Sequence, residues 1–249
     1  IGELPFDPID VVSEIENLTR RFDLLRECDI DPTVLPVWEE RGGEMMGLSR
    51  WQSFMERGLK SYAKRRNNAD DSSGVSRLSA AFHYGFVSPM MVAREAASVG
   101  TKSSEKYLDE LLIFREHAWH HASSLTDPYD VTNLPEWASK SWEETADDPR
   151  PSLQDDRNLE FAKTPSQLWN LCQKSLLWHG ELHNNLRMTW GKAFPSWTFC
   201  LEKSLELSQR LNDKYALDGR DPSSVAGVQW CHGLFDRPFH PGVPIMGTV

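Results

Sequence analysis

Residues 187–197 read Arg-Met-Thr-Trp-Gly-Lys-Ala-Phe-Pro-Ser-Trp, and residues 211–222 read Leu-Asn-Asp-Lys-Tyr-Ala-Leu-Asp-Gly-Arg-Asp-Pro. Trp190 and Trp197 are seven residues apart. That is nearly two helical turns and roughly 10 Å of rise along one face, with Pro195 placed to break the helix between them. The spacing of apolar residues around these stretches predicts helices over Pro165–His179, Glu181–Phe194 and Phe199–Lys214, separated by Gly180 and Pro195. A short turn at Gly180 would return the chain so that Trp169, on the first of these helices, lies alongside the second.

Upstream, Leu48, Trp51, Phe54, Met55 and Leu59 recur at helical spacing and predict one helix from Gly43 to Arg66, ending in Lys60, Lys64, Arg65 and Arg66. Asn67–Gly74 reads as a polar turn, Ser88-Pro89 opens a helix through Ala97, and Glu105–Ser123 reads as another helix. Trp137–Asn158 is polar, acidic and interrupted by proline, so it reads as a connection with short turns. Residues 1–40 carry Pro5, Pro8, Pro32 and Pro36 around one amphipathic segment near Val11–Cys28; they are expected to be a lead-in that packs on a body of residues 41–249. Little of the chain reads as strand, and the expected fold class is all-α.

Hydrophobic residues make up 39% of the 249, enough for a sizeable core. Charged residues number 27 positive and 37 negative, a net charge of -10, which argues against long-range attraction to nucleic acid. Contact with DNA would need a local basic patch. Cys28, Cys172, Cys200 and Cys231 show neither C-x-x-C pairing nor zinc-like spacing, so reduced thiols in an intracellular compartment are expected. No apolar run reaches the roughly 18 residues of a membrane span. The chain begins at Ile1 without a signal-like segment, the pattern of a processed or excised fragment. His117 and His121 are four residues apart, as are His179 and His183, a spacing that can chelate a metal. In His-Gly-Glu-Leu-His, however, Glu181 is not in the zinc-protease position, and structural or pocket-lining histidine is the preferred reading, with no metal expected. P-loop, G-x-G-x-x-G and G-x-S-x-G motifs do not occur, which leaves kinase and hydrolase readings without support.

Over about residues 40–247 the sequence resembles the C-terminal, FAD-binding helical domain of the photolyase/cryptochrome family. The likeness is strongest to the class II cyclobutane pyrimidine dimer photolyases, whose pattern runs Arg-Met-Tyr-Trp-Ala-Lys, a later Trp, and then Leu-Asn-Asp-x-Tyr-x-Leu-Asp-Gly-Arg-Asp-Pro. The resemblance implies bound FAD, and no deazaflavin or folate antenna chromophore within this chain. It also implies an electron-transfer chain with Trp190 nearest the flavin, Trp169 in the middle and Trp197 at the surface. Tyr62 matches a family tyrosine at the cofactor, while Ser76, Leu78 and Ser79, in Val-Ser-Arg-Leu-Ser, match the phosphate-contact segment. By the same likeness Arg187 and Asp218 face each other beside the isoalloxazine, and Asn212 lies near flavin N5, where an amide can donate or accept.

On the substrate side, the resemblance gives Glu110 as the carboxyl that contacts damaged pyrimidines. Phe114, Met188 and Trp230 fall on lesion-pocket positions, Trp230 offering a face for stacking flipped bases. Arg237 survives in Phe-Asp-Arg-Pro. Departures begin at Phe114, where family members often carry tryptophan or arginine, and at Leu-Ser-Ala-Ala-Phe-His-Tyr-Gly, which replaces Leu-Ser-Pro-Tyr-Leu-His-Phe-Gly; further on, Ser223-Ser224-Val225 replaces Asn-Gly-Tyr. The segment that carries Lys and Arg towards DNA in class II members reads Val-Pro-Ile-Met-Gly-Thr-Val here, from Val243 to Val249. Losing those cations should weaken DNA binding and flatten its salt dependence. Two functions are therefore expected to compete: repair of cyclobutane pyrimidine dimers in UV-damaged DNA by electron transfer from reduced FAD, and a non-repair photoreceptor or redox flavoprotein. Glu110, Met188, Trp230 and Arg237 favour repair; the acidic balance and the uncharged C-terminal segment favour the alternative.

Overall fold

Caps and close backbone approaches decide where each helix starts and stops. The computed structural model describes residues 30, 31, 33–37 and 42–249. Residues 1–36 and 37–249 form separate units, and the expected lead-in over residues 1–40 falls mostly outside the described residues. Among the described residues of the larger unit the structure is all-α, with an isolated bridge between Val243 and Gly247 as its one β-type pairing.

Helix α1 (Glu44–Arg57) buries Gly47, Trp51 and Phe54. It ends at Gly58, short of the expected Arg66, where the backbone is packed so closely that a Cβ would collide with the Phe54 ring and the Ser73 carbonyl. A 3₁₀ turn (Leu59–Ser61) then leads into α2 (Tyr62–Arg65). Next come α3 (Ser79–His83) and α4 (Pro89–Val99). Ser88 Oγ accepts the Met91 N–H, Pro89 fills a first-turn position that needs no donor, and Gly100 closes α4 at φ 62°. A reciprocal Thr101–Ser104 capping box opens α5 (Lys102–Leu108). This helix continues through a π-helical segment (Asp109–Arg115) into α6 (Glu116–Ser123), so the expected Glu105–Ser123 helix is one rod with a widened middle turn.

The stretch expected to be turns holds two helices, α7 (Glu136–Glu144) and α8 (Asp156–Glu160). The reason is Trp142, buried and donating its indole N–H to the His232 carbonyl at 2.9 Å. Burying one aromatic outweighs the acidic local composition. Helix α9 (Gln167–His179) is capped by Ser166 and terminated by Gly180 at φ 62°. Then follow α10 (Asn184–Gly191), capped by His183, α11 (Phe194–Trp197) and α12 (Leu201–Tyr215). The expected Glu181–Phe194 helix is shorter at both ends, because His183 caps it late and the chain turns before Phe194. Helix α13 (Pro222–Trp230) has no counterpart in the sequence expectation. Its residues Ser224, Val225, Ala226, Val228 and Gln229 are all buried, and burial on every side leaves no amphipathic period to read. Asp221, which caps it, and Pro222 in its first turn were the available signals.

Three apolar clusters hold the larger unit together. The first gathers Trp51, Phe54, Leu59, Tyr62 and Tyr107; the second Trp169, Trp190, Phe194, Leu207 and Leu211; the third Leu134, Trp142, Ala226 and Leu234. Met246 and Val249 pack on the third cluster. Residues 245–248 are pinned beside α7, with Thr248 N–H donating to Ser141 Oγ at 2.8 Å and Thr145 Oγ1 donating to the Ile245 carbonyl at 2.9 Å. Cys172, Cys200 and Cys231 are free thiols.

One buried histidine links the fold to pH. The His232 ring is 0% exposed; Nδ1 donates to the Val228 carbonyl at 3.0 Å, which leaves Nε2 to accept from Ser204 Oγ at 2.8 Å. Burial pushes its pKa down to about 4. From about pH 6.5 downwards the unfolded chain takes up a proton that the folded chain refuses, so stability falls as pH drops to about 4, by about 3 kcal/mol. Urea midpoints measured across that window should show this loss, and His232→Gln should flatten it.

A candidate cofactor and substrate cavity

A cavity of about 1040 Å³, at the large end of the usual range for ligand pockets, is lined in part by Tyr62, Tyr107 and Leu111 of the first cluster and Ala118 and Ala226 of the third. One wall comes from α2, the loop before α3 and the π-helical segment, and supplies Tyr62, Ser76, Ser79, Glu110 and Phe114. The other comes from the α9–α10 link, α10, the loop into α13 and the end of α13, and supplies Arg187, Met188, Asp218 and Trp230. Nine of the residues singled out in the sequence thus meet on one surface.

Burial and pairing set the character of each wall. Arg187 Nη2 donates to Asp218 Oδ1 at 2.9 Å and Nη1 to Ser224 Oγ at 3.1 Å, with both members of the ion pair about 15% exposed or less. Glu110 is gripped by Arg66 at 2.7 Å and Lys106 at 2.8 Å, which holds its carboxylate at the cavity edge. Phe114 and Trp230 face each other at 6.0 Å between ring centroids, and Phe235 meets Trp230 edge-on at 5.9 Å. Tyr107 donates to Ser76 Oγ at 3.2 Å, and burial raises the pKa of both Tyr107 and Tyr62.

Three expected cofactor or substrate residues lie elsewhere. Leu78 is 1% exposed and belongs to the first apolar cluster, one layer behind the cavity wall. Asn212 is fully buried, its Nδ2 committed to the Gly219 carbonyl and Ser224 Oγ, each at 3.0 Å, so it reaches the cavity only through Ser224. Arg237 is exposed and does not line the cavity. For the first two the difference is one of depth: a motif gives the order of residues along the chain and not which layer each occupies.

Behind α10 the three tryptophans make a continuous aromatic path. Trp190 and Trp169 are parallel, 8° between planes at 6.2 Å, and Trp197 meets Trp169 edge-on at 5.1 Å. Trp190 is 1% exposed and Trp169 4%, while Trp197 is only partly buried. The Trp169 indole N–H donates to the Trp190 carbonyl at 3.0 Å, and the Trp190 indole N–H donates to Gln173 Oε1 at 2.9 Å. Gly191, next to Trp190, lets α10 approach Cys231, since a Cβ there would strike the sulfur at 2.5 Å.

Sequence reading missed four residues that shape the site: Arg66, Lys106, Tyr107 and Gln173. Two had a usable signal. Lys106 and Glu110 are an i,i+4 pair, and Gln173 follows Trp169 by four residues on the same helix. Of the histidine pairs, His117 and His121 pack on Phe235 at 4.4 and 5.0 Å, and burial lowers the His121 pKa. His179 and His183 line the cavity. Among the described residues no three His, Cys, Asp or Glu side chains cluster as metal ligands.

The wall suits a large ligand that is part apolar ring and part polar. His183 Nε2, Arg187 Nε and Ser223 Oγ are buried polar atoms without a protein partner on residues that line the cavity. Serine hydroxyls, aromatic rings and an ion pair all line it.

No family model matches the sequence. It is 32% identical over 236 residues, 94% of this chain, to a protein of Methanothermobacter thermautotrophicus named deoxyribodipyrimidine photo-lyase. Proteins of the same name from Oryza sativa subsp. japonica and Arabidopsis thaliana are each 34% identical, over 207 and 216 residues or 81% and 85% of this chain. The chain spans about half the length of these relatives or less: 51%, 40% and 43% in the same order. Among the described residues no helix is long and apolar enough to cross a membrane.

Proposed function

We propose that the chain is a photolyase-family protein that binds FAD in this cavity and repairs cyclobutane pyrimidine dimers in DNA by light-driven electron transfer, as a class II member, a reading supported by its 32% and 34% identity to photo-lyases of which it spans about half the length or less. The observation that carries the reading is the meeting of Ser76, Ser79, Arg187, Asp218, Glu110 and Trp230 on one cavity, with three tryptophans in successive ring contact behind it.

Reduced FAD, when bound and excited by blue light, supplies an electron donor to a pyrimidine dimer. Residues of this chain do the rest. Ser76 and Ser79 offer hydroxyls to the phosphates, and the Arg187–Asp218 pair sets the local charge beside the ring. Glu110 presents a carboxyl to the bases, its place fixed by Arg66 and Lys106. Phe114 and Trp230 give aromatic faces for bases drawn out of the duplex, and Met188 lines the same recess. Trp190, Trp169 and Trp197 carry electrons inward from the surface to keep the cofactor reduced. Asn212 acts on the cavity through Ser224, and Leu78 supports the serine segment from the core.

The test is direct. Purified protein, photoreduced in blue light and mixed with thymine-dimer DNA, is expected to restore thymine absorbance; bound, reducible flavin with no recovery would overturn the repair reading. In that event the non-repair flavoprotein is the better description. One observation favours it: residues 245–248, where class II members present cations to DNA, are here tied to α7 through Ser141 and Thr145.

A further inference from the structure

We propose that Glu181 is a positioning residue: from across the cavity it holds the Val75–Ser79 segment in shape, and so sets affinity for the phosphate half of FAD. The proposal rests on the FAD reading above.

Arg77 sits in the middle of Val-Ser-Arg-Leu-Ser with φ 54°, a left-handed backbone that a residue with a Cβ adopts only under constraint. This turn has a visible purpose. It sends Leu78 into the first apolar cluster while Ser76 and Ser79 on either side line the cavity.

Two contacts hold the turn. Arg50 Nη1 donates to the Arg77 carbonyl at 3.1 Å and to Glu181 Oε1 at 3.0 Å. Arg77 Nε and Nη2 each lie 2.7 Å from Glu181 Oε2. One carboxylate therefore grips two guanidiniums, one from α1 and one from the serine segment, while its own backbone belongs to the opposite wall. Glu181 is itself firmly placed. Gly180 ends α9 at φ 62°, packed so closely on Leu217 that a Cβ there would collide with it, and Ser175 Oγ donates to the Glu181 carbonyl at 2.7 Å. The side chains of Glu181 and Arg50 are only 23% and 19% exposed, which limits screening by salt. His-Gly-Glu-Leu-His thus acquires a role as a brace between the two cavity walls.

Flavin titrations separate this role from general structural support. Unmodified chain is expected to bind FAD more tightly than riboflavin, which has no phosphates. Glu181→Gln should weaken FAD binding by about tenfold and leave riboflavin binding unchanged, and Glu181→Asp should recover part of the loss. Glycine takes the left-handed backbone without strain, so in an Arg77→Gly background Glu181→Gln should have no further effect on FAD. If FAD binds better than riboflavin but Glu181→Gln alters both equally, or neither, the positioning role is wrong and the FAD reading stands. If unmodified chain binds neither flavin, the FAD reading fails and the positioning role falls with it.

Discussion

Trp169→Phe is expected to abolish light-driven reduction of bound FAD by an external reductant while leaving the protein folded. Trp169 stacks on Trp190 at 6.2 Å and touches Trp197 at 5.1 Å, so it is the link between a tryptophan that is 1% exposed and one that reaches the surface. Phenylalanine keeps an aromatic ring in the slot but is far harder to oxidise, and Trp190 is too deeply buried to meet a reductant itself. The lost hydrogen bond from the Trp169 indole to the Trp190 carbonyl should cost about 1 kcal/mol. Absorbance followed under continuous blue light with a thiol reductant measures the effect, and a variant that photoreduces at the unmodified rate would remove Trp169 from the path.

Arg187→Met should destabilise the protein by about 3–5 kcal/mol, because it strands Asp218 as a mostly buried, unpaired carboxylate. The effect extends beyond the ion pair. Arg187 also donates to Ser224 Oγ, which accepts from Asn212, whose amide holds the Gly219 carbonyl. Removing the guanidinium therefore loosens the loop that carries Asp218 as well as its partner. Replacing both charges, Arg187→Met with Asp218→Leu, should cost less than Arg187→Met alone, since no buried charge is left uncompensated. Urea unfolding of the two single variants and the double variant gives the coupling; strict additivity would mean that the pair contributes nothing.

The helical class and the Arg187–Pro222 block were legible because their signals are local: a periodic apolar face, a proline, a cap. Depth was not. Asn212 and Leu78 occupy the right places in the chain but sit one layer behind the wall, and only packing decides whether a side chain faces a cavity or supports one that does. The helix end at Gly58 coincides with a close approach that local sequence does not reveal, since its neighbour Ser73 lies fifteen residues on. Helix α13 escaped because burial on every side erases the pattern that reveals a helix. Glu181 was seen and judged only against metal chemistry, since its partners Arg50 and Arg77 are more than a hundred residues away in sequence.

The π-helical segment Asp109–Arg115 acts as a phase shifter. A turn that accommodates one extra residue rotates everything after it by about 100° relative to an unbroken α-helix. Glu110 and Phe114 lie inside this turn and Ala118 just beyond it, and all three line the cavity. Deleting a single residue here would leave the composition of the rod almost unchanged while swinging His117, Ala118 and His121 to a different side. This short stretch should therefore tolerate substitution far better than a change in length, and its residue count is as much a part of the binding surface as any side chain on it.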